Sequence, residues 1–160
     1  MTTWKVMAQS SLRSVQTGRA ADAMGQHLVI VPVTSENDIE AAFQRVVADT
    51  AGALIVGSGA LLNSNRERIV ALAARAGLPA IYSERQAAVA GGLVSYGTDQ
   101  TDAYRQAGIY AGRILKGEKP SDLPVIRGTK FELTINTKTA KVLGLTIPPS
   151  LLARADEVIE

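Results

Sequence analysis

Short apolar runs separated by amphipathic stretches dominate the first hundred residues. Four of these runs predict strands: HLVIVPV at 27–33, ALIVG at 53–57, PAIY at 79–82 and LVSYG at 93–97. They are apolar on both faces, which is typical of parallel strands whose sheet is covered on both sides. The pattern therefore predicts a buried, mainly parallel sheet.

Helical patterns lie between the predicted strands. Ser35 with Asp38, and Ser64 with Glu67, resemble capping boxes at helix starts. The stretch SGALLNS before the second pair is predicted as a loop. After the first pair, apolar residues follow the spacing of a buried helical face at Ile39, Ala42, Phe43, Val46 and Val47. This alternation predicts an α/β fold, a doubly wound and mainly parallel sheet with helices on both faces.

Other helical patterns are weaker or come later in the chain. A weak one covers residues 9–24, and SERQAAVAGG is predicted as a short helix or loop. A helix near 100–116 carries an apolar stripe, and FELTIN at 131–136 alternates like a strand with one open face. A short helix, TKTAKVLG, ends at Gly144. The stripe of the 100–116 helix consists of Tyr104, Ala107, Gly108, Ala111, Ile114 and Leu115.

Composition narrows the class of protein. The chain has 160 residues, 46% of them hydrophobic and 20% charged, which fits a globular domain with a real core. The absence of cysteine excludes disulfides, thiolate chemistry and most zinc sites. The net charge is +2 and the basic residues are scattered, so nucleic-acid binding, which needs a basic face, is not expected. No apolar run has the length of a membrane span or of a secretory signal peptide.

Motifs for cofactors and catalysis are incomplete. Gly57-Ser58-Gly59 lies where backbone amides can bind an anion, but a dinucleotide fingerprint would need glycine in place of Leu62. No Walker lysine follows, so a plain turn is predicted. His27, the sole histidine, begins a predicted strand, at the edge opposite to that where α/β sites form. No residues have metal-ligand spacing, and we expect no cofactor, no metal and no catalytic residue.

Polar side chains follow three predicted strands at their carboxyl ends. They are Ser58, Ser83 with Glu84, and Tyr96. Open α/β sheets bind ligands at this edge, so these four residues are the predicted ligand-binding residues. The alternative for Ser83 and Glu84 is structural, because Ser83 would cap the next short helix and Glu84 would favour its first turn.

Three stretches resemble a known protein family. They are 53–99, which begins ALIVGSGALLNSNRER, then AYRQAGIYAGRILKGEKPSDLPV, and TKFELTINTKTAKVLGLTIPPSLLARADEVIE. They resemble the carboxyl-terminal half of ABC-transporter substrate-binding proteins, the periplasmic or lipoprotein components of uptake systems, some linked to aromatic amino acids. The resemblance runs from about residue 12 to residue 160, and TIPPSLLARADEVIE is its most specific part.

The resemblance implies the fold of one lobe. Family members are similar to type I periplasmic binding proteins, whose two α/β lobes enclose a ligand cleft. By this resemblance, residues 1–92 and 129–160 form the second lobe. Residues 93–128 form a crossover strand and a helix that pack on the first lobe. The first lobe, and the first strand of the second, are expected to lie outside this sequence.

The resemblance also implies a function. We expect a non-catalytic solute-binding component, or a truncated remnant of one, that binds a small polar solute such as an amino acid and partners an ABC permease. Its expected location is the periplasm, or the cytoplasm if this chain, without a signal peptide, is the complete product. The alternative is a stand-alone oligomeric α/β protein that has lost transport function. In either case the apolar stripe predicts a homo-oligomer through residues 93–128. A small enzyme is a third hypothesis, which no motif supports.

Overall fold

A seven-stranded sheet organises the part of the chain that the structure describes. The computed structural model describes residues 3–8, 18–49, 51–126, 128 and 130–160. The strand order is β2-β1-β3-β4-β5-β6-β7. Strands β1 to β5 run parallel, β6 is antiparallel to β5, and β7 is parallel to β6. The strands are β1 (Thr3–Ala8), β2 (His27–Pro32), β3 (Ala53–Val56), β4 (Ala80–Tyr82), β5 (Val94–Thr98), β6 (Phe131–Asn136) and β7 (Glu157–Ile159). The predicted α/β class with a mainly parallel sheet is confirmed.

Helices connect these strands. Residues 18–23 are helical and are called α1. The other helices are α2 (Asp38–Ala48), α3 (Ala60–Ser64), α4 (Arg66–Arg75), α5 (Arg85–Val89), α6 (Gln100–Leu115), α7 (Thr137–Val142) and α8 (Pro149–Leu152). The predicted helix near 100–116 corresponds to α6, and FELTIN forms β6 as predicted. Within the described residues, no helix is long and apolar enough to span a bilayer.

One aliphatic core joins the sheet to α2, α4 and α5. Its strand residues include Met7, Leu54 and Val56, and each is less than a tenth exposed. Its helix residues include Ile39, Phe43, Val46, Ile69, Val70 and Ala87. Full burial of one large apolar side chain stabilises a fold by about 1.5–3 kcal/mol. This packing fixes the ends of β3 and β4, from which the candidate site is built.

A strand at the start of the chain was not predicted. The expectation that the first strand of this lobe lies outside the sequence is wrong. β1 lies inside the sheet, where Val6 is opposite both Ile30 and Ile55. The strand has no clear signal in the sequence because the charged Lys5 interrupts its apolar run. The Lys5 side chain is only 2% exposed, and its Nζ reaches Asp49 Oδ2 at 2.7 Å, so the aliphatic stem packs in the core.

The connection after β3 also differs from the prediction. Residues 60–64, predicted as a loop, form α3, and Asn65 rather than Ser64 precedes α4. The second capping box is therefore wrong. Asn65 instead donates its Nδ2 to Leu61 O at 3.0 Å, which joins the two helices.

Other outcomes concern the chain ends and the first capping box. Of the helix predicted at 9–24, residues 18–23 are helical, and 9–17 lie outside the described residues. The first capping box forms only in part: Asp38 Oδ2 accepts the Ser35 N–H at 2.8 Å, but Asn37 rather than Ser35 precedes α2. Near the carboxyl terminus, α8 and β7 were not predicted. Arg85 of α5 holds Glu157 of β7 through two hydrogen bonds of 2.6 Å.

α6 lies apart from the core. None of its residues is buried. Its start is fixed by Asp99, whose Oδ1 accepts the N–H groups of Thr101 and Asp102 at 2.9 and 3.2 Å. Lys130 Nζ lies 2.7 Å from Asp99 Oδ2, and the Asp99 N–H donates to Lys130 O at 3.0 Å. The chain therefore leaves the sheet and returns to it at adjacent positions.

Candidate functional site

The carboxyl ends of β3, β4 and β5 meet at one edge of the sheet. Val56 pairs with Tyr82, and Tyr82 pairs with Ser95, so the turns after β3 and β4 emerge at the same level. These turns carry Ser58 and the Ser83–Glu84 pair, as the sequence predicted. Parallel α/β sheets bind their ligands at this edge.

Glu84 connects three segments at this edge. Its carboxylate Oε1 accepts a hydrogen bond from Asn63 Nδ2 of α3 and another from Gln100 Nε2 of α6, the latter at 3.2 Å. Glu84 is the residue before α5, but its side chain makes no capping hydrogen bond to that helix. The structural alternative therefore does not describe Glu84, whose carboxylate instead holds two side-chain amides.

Ser83 lies where the backbone passes closely over β5. A Cβ atom at Gly97 would collide with the Ser83 carbonyl oxygen and come within 2.9 Å of its carbonyl carbon. Only glycine leaves room for this approach. This contact fixes the backbone of the half-buried Ser83 at the edge of the sheet.

Ser58 lies half-buried in the turn that follows β3. The preceding Gly57 donates its N–H to Met7 O at 2.9 Å, and a Cβ at Gly57 would lie 3.2 Å from the same oxygen. This close contact with β1 fixes the direction of the turn. Ser58 therefore lies at the predicted edge, between the end of β3 and the start of α3.

A small cavity lies between the turns after β3 and β4. Its volume is about 10 Å³, which is about that of one water molecule. Arg66 also lines it and donates NH1 to Asn63 O at 3.0 Å. Burial raises the pKa of Tyr82, so the phenol in this wall is neutral at physiological pH. The polar lining residues are Asn63, Arg66, Tyr82, Ser83 and Glu84.

Tyr96 lines a different recess from Ser83 and Glu84. This recess is mainly apolar, has a volume of about 410 Å³ and includes Trp4 and Ile81. The Tyr96 ring is 55% exposed and stacks on Phe131, with ring centroids 5.7 Å apart and planes 18° apart. The structure thus brings Ser83 and Glu84 together and places Tyr96 in separate surroundings.

Asn63, Arg66 and Gln100 were not predicted as site residues from the sequence. The helical state of residues 60–64 brings Asn63 to Glu84, and these residues were predicted as a loop. Gln100 is the first residue of α6, and its contact with Glu84 depends on how β4 and β5 pair. No local pattern in the sequence marks Asn63, Arg66 or Gln100, because their contacts depend on the packing of α3, α4 and α6.

The comparison with family models identifies the protein family. A model described as ABC transporter substrate binding protein matches residues 8–159. The chain belongs to this family. The resemblance found in the sequence is therefore confirmed, and it extends slightly further towards the amino terminus than predicted. No curated protein matches this substrate-binding family member.

Solved structures agree with the family assignment. A domain from Streptococcus pneumoniae in complex with L-Trp is 29% identical with a TM-score of 0.88, covering 99% of this chain and 56% of that one. A conserved domain protein from Vibrio cholerae is 24% identical with a TM-score of 0.83, covering 98% and 54%. A ligand-free, open substrate binding protein with adhesive properties from Clostridium difficile is 24% identical with a TM-score of 0.67, covering 99% and 54%. The latter two show the fold alone. This substrate-binding family member spans a little over half the length of each.

Proposed function

We propose that this chain is a solute-binding lobe of an ABC-type uptake system that binds a small polar solute, such as an amino acid, without catalysis. The family match over residues 8–159 carries the proposal. The Streptococcus pneumoniae neighbour, in complex with L-Trp, supports an amino acid as the class of solute. An ABC permease is the proposed partner and the periplasm the proposed location.

The proposed solute contacts are Ser58, Ser83, Glu84 and Tyr96. The geometry supports Glu84 most strongly, because a carboxylate held by amides from two other segments is preorganised for a further donor. Ser58 and Ser83 supply hydroxyl groups at the same edge. Tyr96 lies in another recess, so its part in binding would involve a different portion of a solute.

The proposed division of the chain is the one expected from the sequence, except at the end of the lobe. Residues 1–92 and 129–160 would form one lobe, and residues 93–128 would lead to a second lobe that closes over the solute. β5 itself is paired with β4 and β6 in the sheet, so we place the end of the lobe at Thr98. The exposed α6 would then be the element that meets the second lobe.

Calorimetric titration of the purified chain with the twenty amino acids tests this function. We expect at least one to bind, with weak affinity because a single lobe offers half of a cleft. Ser83→Ala combined with Glu84→Ala should weaken that affinity by about tenfold or more, the scale of a hydrogen bond to a charged group. Glu67→Ala, an exposed glutamate on α4, is the matched control. An unchanged affinity in the double variant would show that these residues are not the site.

A further inference from the structure

We infer that Glu84 and Arg66 together bind an α-zwitterion, with Glu84 receiving the ammonium group and Arg66 the carboxylate. The inference rests on the proposed function and adds Arg66 as a specificity-determining residue. It also limits the solute class to free amino acids whose two ends are both charged.

Asn63 forms a hydrogen bond with each of these two oppositely charged side chains. Its side-chain amide donates to Glu84 Oε1, and its backbone carbonyl accepts from Arg66 NH1 at 3.0 Å. All three residues line the same small cavity and are half-buried. Glu84 and Arg66 nevertheless form no ion pair with one another in the described part of the chain. Two neighbouring, partly desolvated charges are thus kept apart by one residue.

Among the residues that the structure describes, both charged groups keep hydrogen-bonding capacity that no partner uses. Glu84 Oε1 takes the bonds from Asn63 and Gln100, and within the described residues Oε2 accepts none. In the same set of residues, Arg66 uses only NH1, although a guanidinium carries five N–H donors. A partly buried charge gains more from a partner than one in open water, because screening is weaker. An ammonium and a carboxylate on one carbon supply both partners at once.

The size of the cavity limits which part of the solute this lobe binds. Its volume of about 10 Å³ admits a water molecule but no amino acid. The charged ends of the solute would therefore lie at the rim, between Asn63 and Ser83, with the side chain directed away from the cavity. A solute with only negative charge would be repelled by Glu84, and one with only positive charge would be repelled by Arg66. The arrangement thus selects for the zwitterion rather than for a particular side chain.

Ligand analogues test the inference on the unmodified protein. L-tryptophan, N-acetyl-L-tryptophan and tryptamine would be titrated by calorimetry at pH 7. If another amino acid binds more tightly, its N-acetyl and decarboxylated forms take their place. Removal of the ammonium charge or of the carboxylate should each weaken binding by about tenfold or more, as expected for charge-assisted hydrogen bonds.

Charge-neutral variants assign each end of the zwitterion. Glu84→Gln should remove the preference for the free ammonium, and Arg66→Met should remove the preference for the free carboxylate. Glu67→Gln and Arg75→Met, both exposed on α4, are the matched controls, and thermal melts establish that each variant folds. If binding is equally tight without either charge of the solute, the zwitterion inference is overturned, but the proposed solute-binding function stands. Failure of all twenty amino acids to bind overturns both.

Discussion

Single residues determine where the candidate site lies, and Gly97 is the clearest case. The Ser83 backbone crosses β5 so closely that any side chain at position 97 would collide with it. We expect Gly97→Ala to displace the Ser83–Glu84 turn and to lower the free energy of unfolding by about 1–3 kcal/mol, the usual cost of overpacking. Chemical denaturation measures the change.

Gly112, which lies outside the apolar stripe of α6, provides the matched control for Gly97. It lies in α6, where an added Cβ would meet nothing within 4 Å. Alanine is favoured over glycine inside a helix by about 0.8–1 kcal/mol, so Gly112→Ala should leave stability unchanged or raise it. Equal effects at the two positions would mean that the close approach at Gly97 does not shape the turn.

Sequence analysis identified Ser83 and Glu84 but not the residues that hold them. Chain order and strand periodicity place both residues at the carboxyl end of a strand. Asn63 and Gln100 are 21 and 16 residues from Glu84, and their contacts with it follow from the packing of α3 and α6. Such contacts depend on tertiary structure, which has no local signature in the sequence. The same limit applies to Arg66.

The stability of a helix depends on the hydrogen bonds at its ends, and the pH dependence expected for α2 illustrates this. Asp38 Oδ2 accepts three hydrogen bonds from Thr34 and Ser35, which lower the pKa of Asp38 from 3.8 to about 2. Because the folded pKa lies below the unfolded one, this carboxylate stabilises the fold fully above about pH 4. The contribution is lost as the pH falls towards 2.

The variant Asp38→Asn tests the contribution of that carboxylate. Its midpoint of thermal unfolding should be lower than that of the wild type at pH 6, and the difference should shrink between pH 4 and about 2. Asp22→Asn, an exposed aspartate in α1, is the control and should show a constant difference. A gap for Asp38→Asn that persists at pH 2 would contradict the role of the ionised carboxylate.

Predictions of the elements succeeded where the pattern was long and failed where it was short. β2, β3 and α6 have clear apolar runs or stripes, and the sequence pattern located each within one or two residues. β1 was missed because the buried Lys5 reads as a polar interruption. β7 has three residues, which pair with β6 through the backbone, and its Glu157 forms an ion pair with Arg85. A strand this short is defined by its partner rather than by its own sequence.

At the scale of the whole molecule, α6 lies apart from the core, and none of its residues is buried. The apolar stripe of α6 is open to solvent, with Tyr104 75% and Leu115 88% exposed. Burial of apolar surface stabilises association by about 25 cal/mol per Å². We therefore propose that the chain on its own, without a second lobe to cover α6, forms a two-fold dimer through this helix. The small residues Ala107 and Ala111 would allow the two copies to approach closely. Light scattering at micromolar concentration should give the mass of a dimer.

Two substitutions on α6 test whether the stripe is the interface. Ile114→Glu lies on the stripe and should shift the protein towards the monomer. Ile109→Glu is the matched control because Ile109 is similarly exposed, 44% against 40%, but lies on the opposite side of the helix. A wild-type monomer that retains the helical content of α6 would contradict the proposal, as would equal effects of the two substitutions.

The paired positions of Asp99 and Lys130 have a consequence for how this fold can change. β5 and β6 are antiparallel from Val94 and Ile135 to Thr98 and Phe131, and the next pair is joined by a backbone hydrogen bond and an ion pair. In topological terms, the residues between Asp99 and Lys130 are an insert at the tip of a β-hairpin. Such an insert can be lengthened, shortened or exchanged without altering the register of a single strand. Apart from Gln100, whose amide donates to Glu84, the insert can therefore diverge independently of the candidate site.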